Sequence, residues 1–221
     1  MCIRGSRFVV GDKVHEVAGG GYGAPAGGCL RRNLAPPGDA VYCSSYSCGS
    51  LLYPPVGNAG YVMSILRLGA GAGFSADRIA PAVELAEKGQ LDFLIFECLA
   101  ERTIALAQQA RLKDPNAGFD PMLERRMRAV LPITARTGTR IISNMGAANP
   151  QGAAKLVRNI AYELGLGHLK VAAVSGDDVL RHVGPCQLQE TGEPAFALGD
   201  RLVSANAYIG VSAIVSALDA G

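Results

Sequence analysis

The sequence predicts an α/β protein: a three-layer, Rossmann-like parallel sheet with crossover helices, preceded by an irregular N-terminal segment. Two observations support this fold class. From residue 65 onwards, short apolar runs alternate with segments of helical periodicity, which is typical of a parallel sheet with crossover helices. Residues 1–62 show neither periodicity. We therefore expect a Gly/Pro-rich irregular or disordered leader over residues 1–62 and an α/β domain over residues 63–221.

Five short apolar runs predict the strands of this domain. Each run is too short for a helix and is followed by glycine or polar residues, as expected of strands that are buried on both faces. The runs cover residues 65–68, 91–96, 140–143, 169–174 and 202–205.

Six segments between and after these runs predict helices. Pro81 fits a first helical turn, and Asn149-Pro150 is a start signal because asparagine caps free N–H groups and proline suits the first helical position. The helices cover residues 77–88, 101–111, 121–136, 149–164, a short piece before His182, and 211–218.

The leader differs in composition from the rest of the chain. It contains Gly19-Gly20-Gly21 and the proline pairs 36–37 and 54–55, which raise the entropic cost of order and favour extended backbone. Three interpretations stay open: a regulatory arm, a Gly-rich phosphate loop, or a non-native leader with Met63 as the true start. At its other end the chain stops where this pattern delivers its next strand, so we expect a C-terminally truncated domain.

Charge and hydropathy narrow the classes of function. The 221 residues carry a net charge of only +2, with 49% hydrophobic and 18% charged residues. A nucleic-acid binder would show a basic face or run, and a membrane span needs about 20 apolar residues. The N-terminus also lacks the apolar segment of a secretory signal. We therefore expect a cytoplasmic protein with a small-molecule partner, no nucleic acid and no membrane.

The cysteine pattern predicts free thiols. Cysteines 2, 29, 43, 48, 98 and 186 show no regular spacing, and His15, His168 and His182 do not accompany them at ligand spacing. Disulfide frameworks belong to small secreted chains, and a zinc tetrahedron needs a second ligand pair.

The candidate site is the edge of the sheet at the carboxyl ends of the strands, where ligands bind in open α/β sheets. Ionisable, amide and glycine residues follow the predicted strands in turn. They are Gly69, Gly71 and Gly73, then Glu97 and Glu101, then Asn144 and Asn149, then Asp177 and Asp178, and finally Asn206. We expect this edge to gather them into one pocket.

Four carboxylates are the candidate catalytic residues: Glu97, Glu101, Asp177 and Asp178. Neighbouring carboxylates can work as acid and base or hold a divalent metal. The alternative for Glu101 is that an acid favours the first turn of a helix. One of the two aspartates is expected to cap the following helix while the other faces the crevice.

The candidate substrate-binding residues are the amides and the glycines. Asn144, Asn149 and Asn206 can orient a carbonyl or carboxylate, although Asn149 is also expected to cap a helix. The glycines could cradle a pyrophosphate, but Phe74 stands where the third glycine of a dinucleotide fingerprint belongs. A tight strand-to-helix turn is the other interpretation. Cys98 lies in the same cluster without a histidine, which disfavours a thiolate nucleophile.

Five strings give the chain a family resemblance. They are LGAGAGFSADR at 68–78, LDFLIFECLAE at 91–101, SNMGAANP at 143–150, SGDD at 175–178 and SANAYIG at 204–210. In order and spacing these strings resemble the acyclic terpene utilisation (AtuA) family. The resemblance implies a bacterial α/β protein used in breaking down acyclic terpenoids such as citronellol and geraniol, through acyl-CoA thioesters. The first 62 residues fall outside the resemblance.

The main hypothesis is a catabolic protein, part of an enzyme, that acts on a branched terpenoid-derived acid or its acyl-CoA thioester, which is then a substrate and not a cofactor. A divalent metal is the one cofactor considered for the main hypothesis. The alternatives are a nucleotide-dependent oxidoreductase that uses the glycine loop, and a non-catalytic scaffold domain. A homo-oligomer or a further C-terminal domain would be the macromolecular partner.

Overall fold

The computed structural model describes residues 65–221 and, in the leader, the backbone of two short strands at residues 7–10 and 16–18. The six strands are β1 (Arg7–Val10), β2 (Glu16–Ala18), β3 (Leu68–Ala72), β4 (Phe93–Phe96), β5 (Arg140–Ser143) and β6 (Val171–Ser175). The helices are α1 (Ala80–Lys88), α2 (Glu101–Lys113), α3 (Leu123–Thr137), α4 (Pro150–Glu163) and α5 (Ser212–Asp219), with 3-10 turns at Leu180–His182 and Ala195–Arg201.

The sheet has the strand order β2-β6-β1-β5-β4-β3. Strands β3, β4 and β5 pair in parallel, which confirms the predicted α/β class with a parallel sheet. Strand β1 runs antiparallel to both β5 and β6, so β5 and β6 point in the same direction without touching. Their carboxyl ends therefore reach the same edge of the sheet.

The leader contributes more than an irregular segment where it is described. The two strands β1 and β2 belong to the same compact unit as residues 66–221, and β2 extends the sheet in parallel beyond β6. The rest of the predicted leader and its boundary at residue 62 lie outside the described residues.

Two strand predictions were wrong. The first strand spans Leu68–Ala72 rather than 65–68, because the sheet accepts glycine where a neighbouring side chain fills the space. A Cβ on Gly69 would lie 2.4 Å from Leu91 Cδ1, and one on Gly71 would lie 2.6 Å from Phe96 Cε1. The predicted strand at 202–205 is absent, and the chain there makes an isolated bridge between Asp178 and Asn206.

The residues predicted to start and stop the helices are confirmed. Pro81 lies in the first turn of α1, and Asn149 caps α4 by accepting a hydrogen bond from the Gly152 N–H at 3.0 Å. Gly138 ends α3 in the left-handed conformation, with φ 75°, which a residue without a Cβ adopts at little cost.

Alternation along the strands separates two apolar layers. Ile141 and Val171 pack with α1, α3 and α4 on one face. Ala172 and Val174, whose side chains point to the opposite face, pack with Ile214 of α5. This is the three-layer arrangement that the sequence predicts, because successive strand residues face opposite sides of a sheet. Within the described residues, every helix is too short or too polar to cross a bilayer.

Candidate functional site

Glu97 and Asn144 form the first polar pair at the carboxyl edge. Glu97 directly follows β4 and Asn144 directly follows β5, so the parallel register brings them together. Asn144 Nδ2 donates to Glu97 Oε2 at 2.7 Å, and Asn144 Oδ1 accepts from the Cys98 N–H at 2.7 Å. Glu97 Oε1 also accepts from the Leu99 N–H at 3.1 Å. The pair thus fixes the backbone between β4 and α2.

Beside this pair lies a cavity of about 260 Å³, here called the apolar cavity. Its wall is mainly hydrocarbon from α2 and from the segments that precede α2, α3 and α4. The lining residues are Ser75, Cys98, Leu99, Thr103, Leu106, Ala107, Ala110, Phe119, Asp120, Pro121, Asn144 and Ala147. A few polar groups therefore stand in an apolar surface, which is the usual composition of a small-molecule site.

Arg126 and Asp120 hold this cavity together, and the sequence analysis missed both. Arg126 on α3 is fully buried, and its Nη2 donates to the carbonyl oxygens of Ser75 (2.7 Å) and Asp77 (2.9 Å). Its Nη1 contacts Cys98 Sγ at 3.3 Å and Asp120 Oδ1 at 3.5 Å. One guanidinium thus joins the segments after β3 and β4 to the start of α3.

The sequence carries a weak signal for this pair. Asp120-Pro121 precedes a predicted helix, so the aspartate reads as a helix cap, and it does accept the Met122 N–H at 2.7 Å. Arg126 stands four residues before Val130 on the buried stripe of α3. A charged residue at such a buried position is almost always paired. The position of Arg126 in the sequence therefore indicated a buried acidic partner.

Asp177 and Asn206 form the second polar pair, after β6. Asn206 Nδ2 donates to Asp177 Oδ2 at 2.9 Å, and both residues are buried. They border a cavity of about 180 Å³, here called the polar cavity. It is lined by Gln108, Arg111, Ala148, Pro150, Gln151, Ser175, Gly176, Asp177, Asp178, Ser204 and Asn206.

Four of the predicted site residues border two neighbouring cavities rather than one pocket: Asn144 lines the apolar cavity, and Asp177, Asp178 and Asn206 line the polar cavity. Helix α2 serves both, with Ala107 and Ala110 facing the apolar cavity and Arg111 facing the polar one. Arg111 Nη1 donates to the Ala148 carbonyl oxygen, and both residues line the polar cavity. The expectation of one shared pocket is corrected in this respect.

Three predicted site residues are exposed or engaged in other contacts, although Asp178 also borders the polar cavity. Asn149 Nδ2 donates to the carbonyl oxygens of Pro115 (3.2 Å) and Ala117 (2.8 Å), so its side chain is engaged in holding the loop before α3. Asp178 is exposed and caps the 3-10 turn through the Leu180 N–H at 3.1 Å. Glu101 is exposed in the first turn of α2.

The first half of the glycine segment is part of a strand and not a phosphate-binding loop. Gly69 and Gly71 lie inside β3, and only Gly73 lies in the following turn. The Gly73 N–H donates to Asp77 Oδ2 at 3.0 Å. This bond and that from the Arg78 N–H hold the pKa of Asp77 below its usual value. An anion at this turn would have to displace that carboxylate, which weakens support for the nucleotide alternative.

The described thiols and acids offer little redox or metal chemistry. Cys98 and Cys186 are free, and burial raises the pKa of the Cys98 thiol to about 12. A protonated thiol is a poor nucleophile. Within the described part of the chain, no group of three or more His, Cys, Asp or Glu residues is arranged to hold a metal ion. The other four cysteines lie outside the described residues.

Comparison with known proteins gives one match. The family model described as acyclic terpene utilisation family protein AtuA matches residues 66–221, which is more than half of the chain. Searches of the curated proteins and of the solved structures find no match. The matched region contains β3 to α5 and both cavities, and the name of the family implies a role in acyclic terpene utilisation.

Proposed function

This chain belongs to the acyclic terpene utilisation family AtuA, and we propose that its apolar cavity binds the branched chain of an acyclic terpenoid during breakdown. The ligand would be a branched acid of the citronellol or geraniol type, or its acyl-CoA thioester. The supporting observation is the cavity itself: a hydrocarbon wall with Asn144 and Asp120 as polar groups. The reaction would be one step of terpenoid catabolism.

The size of the cavity supports a small ligand. Drug-sized molecules occupy pockets of about 300–1,000 Å³, and the apolar cavity measures about 260 Å³. A single acyclic terpenoid chain suits this space better than a dinucleotide. Leu106 on α2 is 52% exposed although it borders the cavity, so a bound chain would cover apolar surface that water now contacts.

The polar cavity is proposed to receive the polar part of a thioester ligand. It adjoins the apolar cavity along α2, where the consecutive residues Ala110 and Arg111 line one cavity each. Its amides and guanidinium are donors for carbonyl or phosphate oxygens. Of the four predicted catalytic carboxylates, Asp177 and Asp178 border this cavity, and Glu97 orients Asn144. We retain Glu97 and the buried Asp177, because Asp178 is exposed.

Binding measurements on a matched pair of variants test the proposal. Ala110→Phe fills the apolar cavity from α2, whereas Ala105→Phe adds the same side chain at an exposed position of that helix. We expect citronellic acid or its CoA thioester to bind to the wild-type chain and to Ala105→Phe, with affinity lost in Ala110→Phe, by isothermal titration calorimetry.

Two results would contradict the proposal. One is that neither the acid nor the thioester binds to the wild-type chain. The other is that Ala110→Phe and Ala105→Phe bind the ligand equally well, since a ligand outside the apolar cavity would not sense the added ring.

We also propose a cellular location and a class of partner for this protein. We place the protein in the cytoplasm of a bacterium, with a small molecule as its partner and no dependence on nucleic acid. Fractionation of cells that produce the protein, followed by immunoblotting, tests the location. Recovery in the membrane or secreted fraction would overturn it.

A further inference from the structure

Asp120 has a free hydrogen-bonding oxygen at the apolar cavity. Its Oδ1 accepts the Met122 N–H at 2.7 Å and lies 3.5 Å from Arg126 Nη1. Among the residues that the structure describes, none donates a hydrogen bond to the second oxygen, Oδ2. The residue is only 6% exposed and it borders the cavity.

Asp120 lies beside a buried cation. Arg126 is completely buried, and a guanidinium is always protonated in proteins. Its nearest acidic partner is Asp120, and the two side chains are 0% and 3% exposed. A carboxylate oxygen at the edge of an apolar cavity gains free energy when a ligand donates a hydrogen bond to it.

Among the described residues, none of the other polar groups around the cavity, Ser75 included, donates to Asp120 Oδ2. The Asn144 amide group donates to Glu97 Oε2, and Thr103 Oγ1 donates to the Ala100 carbonyl oxygen at 3.0 Å. The Cys98 thiol lies against Arg126. Water or a ligand in the cavity is therefore an available donor for Asp120.

We propose that Asp120 determines the specificity of the apolar cavity, selecting a neutral terpenoid that presents a hydroxyl group over the corresponding free carboxylate. A hydroxyl donates to Asp120 Oδ2, whereas a ligand carboxylate would place two like charges in an apolar space. This inference rests on the proposed function: it keeps the apolar cavity as the terpenoid site and replaces the free acid there with a terpenoid that carries a hydroxyl group.

Two ligands with one carbon skeleton test the inference on the wild-type chain. Citronellol and citronellic acid differ only at the terminal oxygen function, and calorimetry at pH 7.5 measures both affinities. We expect citronellol to bind at least about tenfold more tightly, the effect of a hydrogen bond to a charged group. Equal affinities, or tighter binding of the acid, would overturn the inference without any variant.

A substitution then assigns the preference to Asp120. Asn is a good helix cap, so Asp120→Asn retains the contact with Met122 and removes the charge. We expect the preference for the alcohol to fall by about tenfold or more, with the acid gaining affinity. A folded variant with an unchanged preference would exclude Asp120.

Failure of the inference differs from failure of the proposed function. If both ligands bind equally and Ala110→Phe abolishes both, the cavity is a terpenoid site without selection by Asp120. If neither ligand nor the CoA thioester binds to the wild-type chain, the proposed function itself is wrong.

Discussion

The apolar cavity and the polar cavity lie at the same edge of one sheet, yet they are built differently. The apolar cavity is bounded by long-range contacts: Arg126 reaches the segment after β3, and Asn144 reaches the backbone after β4. The polar cavity depends on the pair Asp177 and Asn206 and on a short bridge between two loops. The difference teaches that one side of this edge is part of the core, whereas the other is a loop assembly placed against it.

The largest expected difference is in the reactivity of two cysteine thiols, one at the apolar cavity and one in the segment after β6. Cys98 borders the apolar cavity, and Cys186 is exposed in the segment after β6. Because the pKa of Cys98 is raised from 9.0 to about 12, its thiolate fraction at pH 8 is about a thousandfold below that of an unperturbed thiol. Iodoacetamide followed by peptide mass spectrometry should label Cys186 and spare Cys98.

Unfolding provides the control for that experiment. In concentrated guanidinium chloride both cysteines should react at similar rates, because burial no longer raises the pKa of Cys98. Equal labelling of the two residues in the folded protein would mean that the apolar cavity is open to water.

Removing the buried guanidinium should give the largest loss of stability. Arg126→Met takes donors from the Ser75 and Asp77 carbonyl oxygens and leaves Asp120 without its cation, which typically costs about 3–5 kcal/mol of unfolding free energy. Arg125→Met on the exposed side of α3 is the matched control and should change it by under about 0.5 kcal/mol. Urea denaturation followed by circular dichroism measures both. Similar values for the two variants would refute the structural role of Arg126.

The cap of α4 should have an intermediate effect. Asn149→Ala removes the bond from Gly152 and two bonds to the loop before α3, so we expect a loss of about 2–3 kcal/mol. Asn116→Ala is the control, since that side chain is exposed and bonds only to Asp114 at 3.3 Å. Denaturation midpoints that coincide for both variants would show that the Asn149 contacts are weak.

The smallest loss of unfolding free energy is expected for a substitution at the polar cavity. Asn206→Ala removes one donor from Asp177 and should cost about 1–2 kcal/mol. Ser204→Ala changes another residue of the same lining and should be nearly neutral. Thermal unfolding compares the two variants. If Asn206→Ala lost as much unfolding free energy as Arg126→Met, the apolar and polar cavities would not differ in their contribution to stability.

Much of the fold could be predicted because local signals agreed with one another. The helix start at Asn149-Pro150, the stop at Gly138 and the strand at 140–143 all appear as expected. The strand at Leu68–Ala72 was misplaced because glycine normally disfavours strands. Here Leu91 and Phe96 fill the space above Gly69 and Gly71, and no local window contains that information.

The candidate site, like the fold, could be predicted from the sequence only in part. Glu97 and Asn144 could be paired in advance, since each follows one of two neighbouring parallel strands. The separation of Asp177 from that pair could not, because it depends on β1, which lies between β5 and β6. Asp120 and Arg126 were missed because their importance comes from burial and from partners on other segments, such as Ser75, which is 51 residues from Arg126.

By itself the sequence determined the α/β class, the family membership, most helix boundaries and the edge of the sheet that carries the polar residues. Those properties follow from hydrophobic periodicity, capping residues and motif strings, all of which act over short stretches of chain. Only the tertiary structure decided that this edge of the sheet carries two separate cavities, that Arg126 is buried between three segments, and that Asp120 borders the apolar cavity. Such features depend on side chains from distant segments meeting in a low-dielectric interior, where an unsatisfied polar group costs the most free energy.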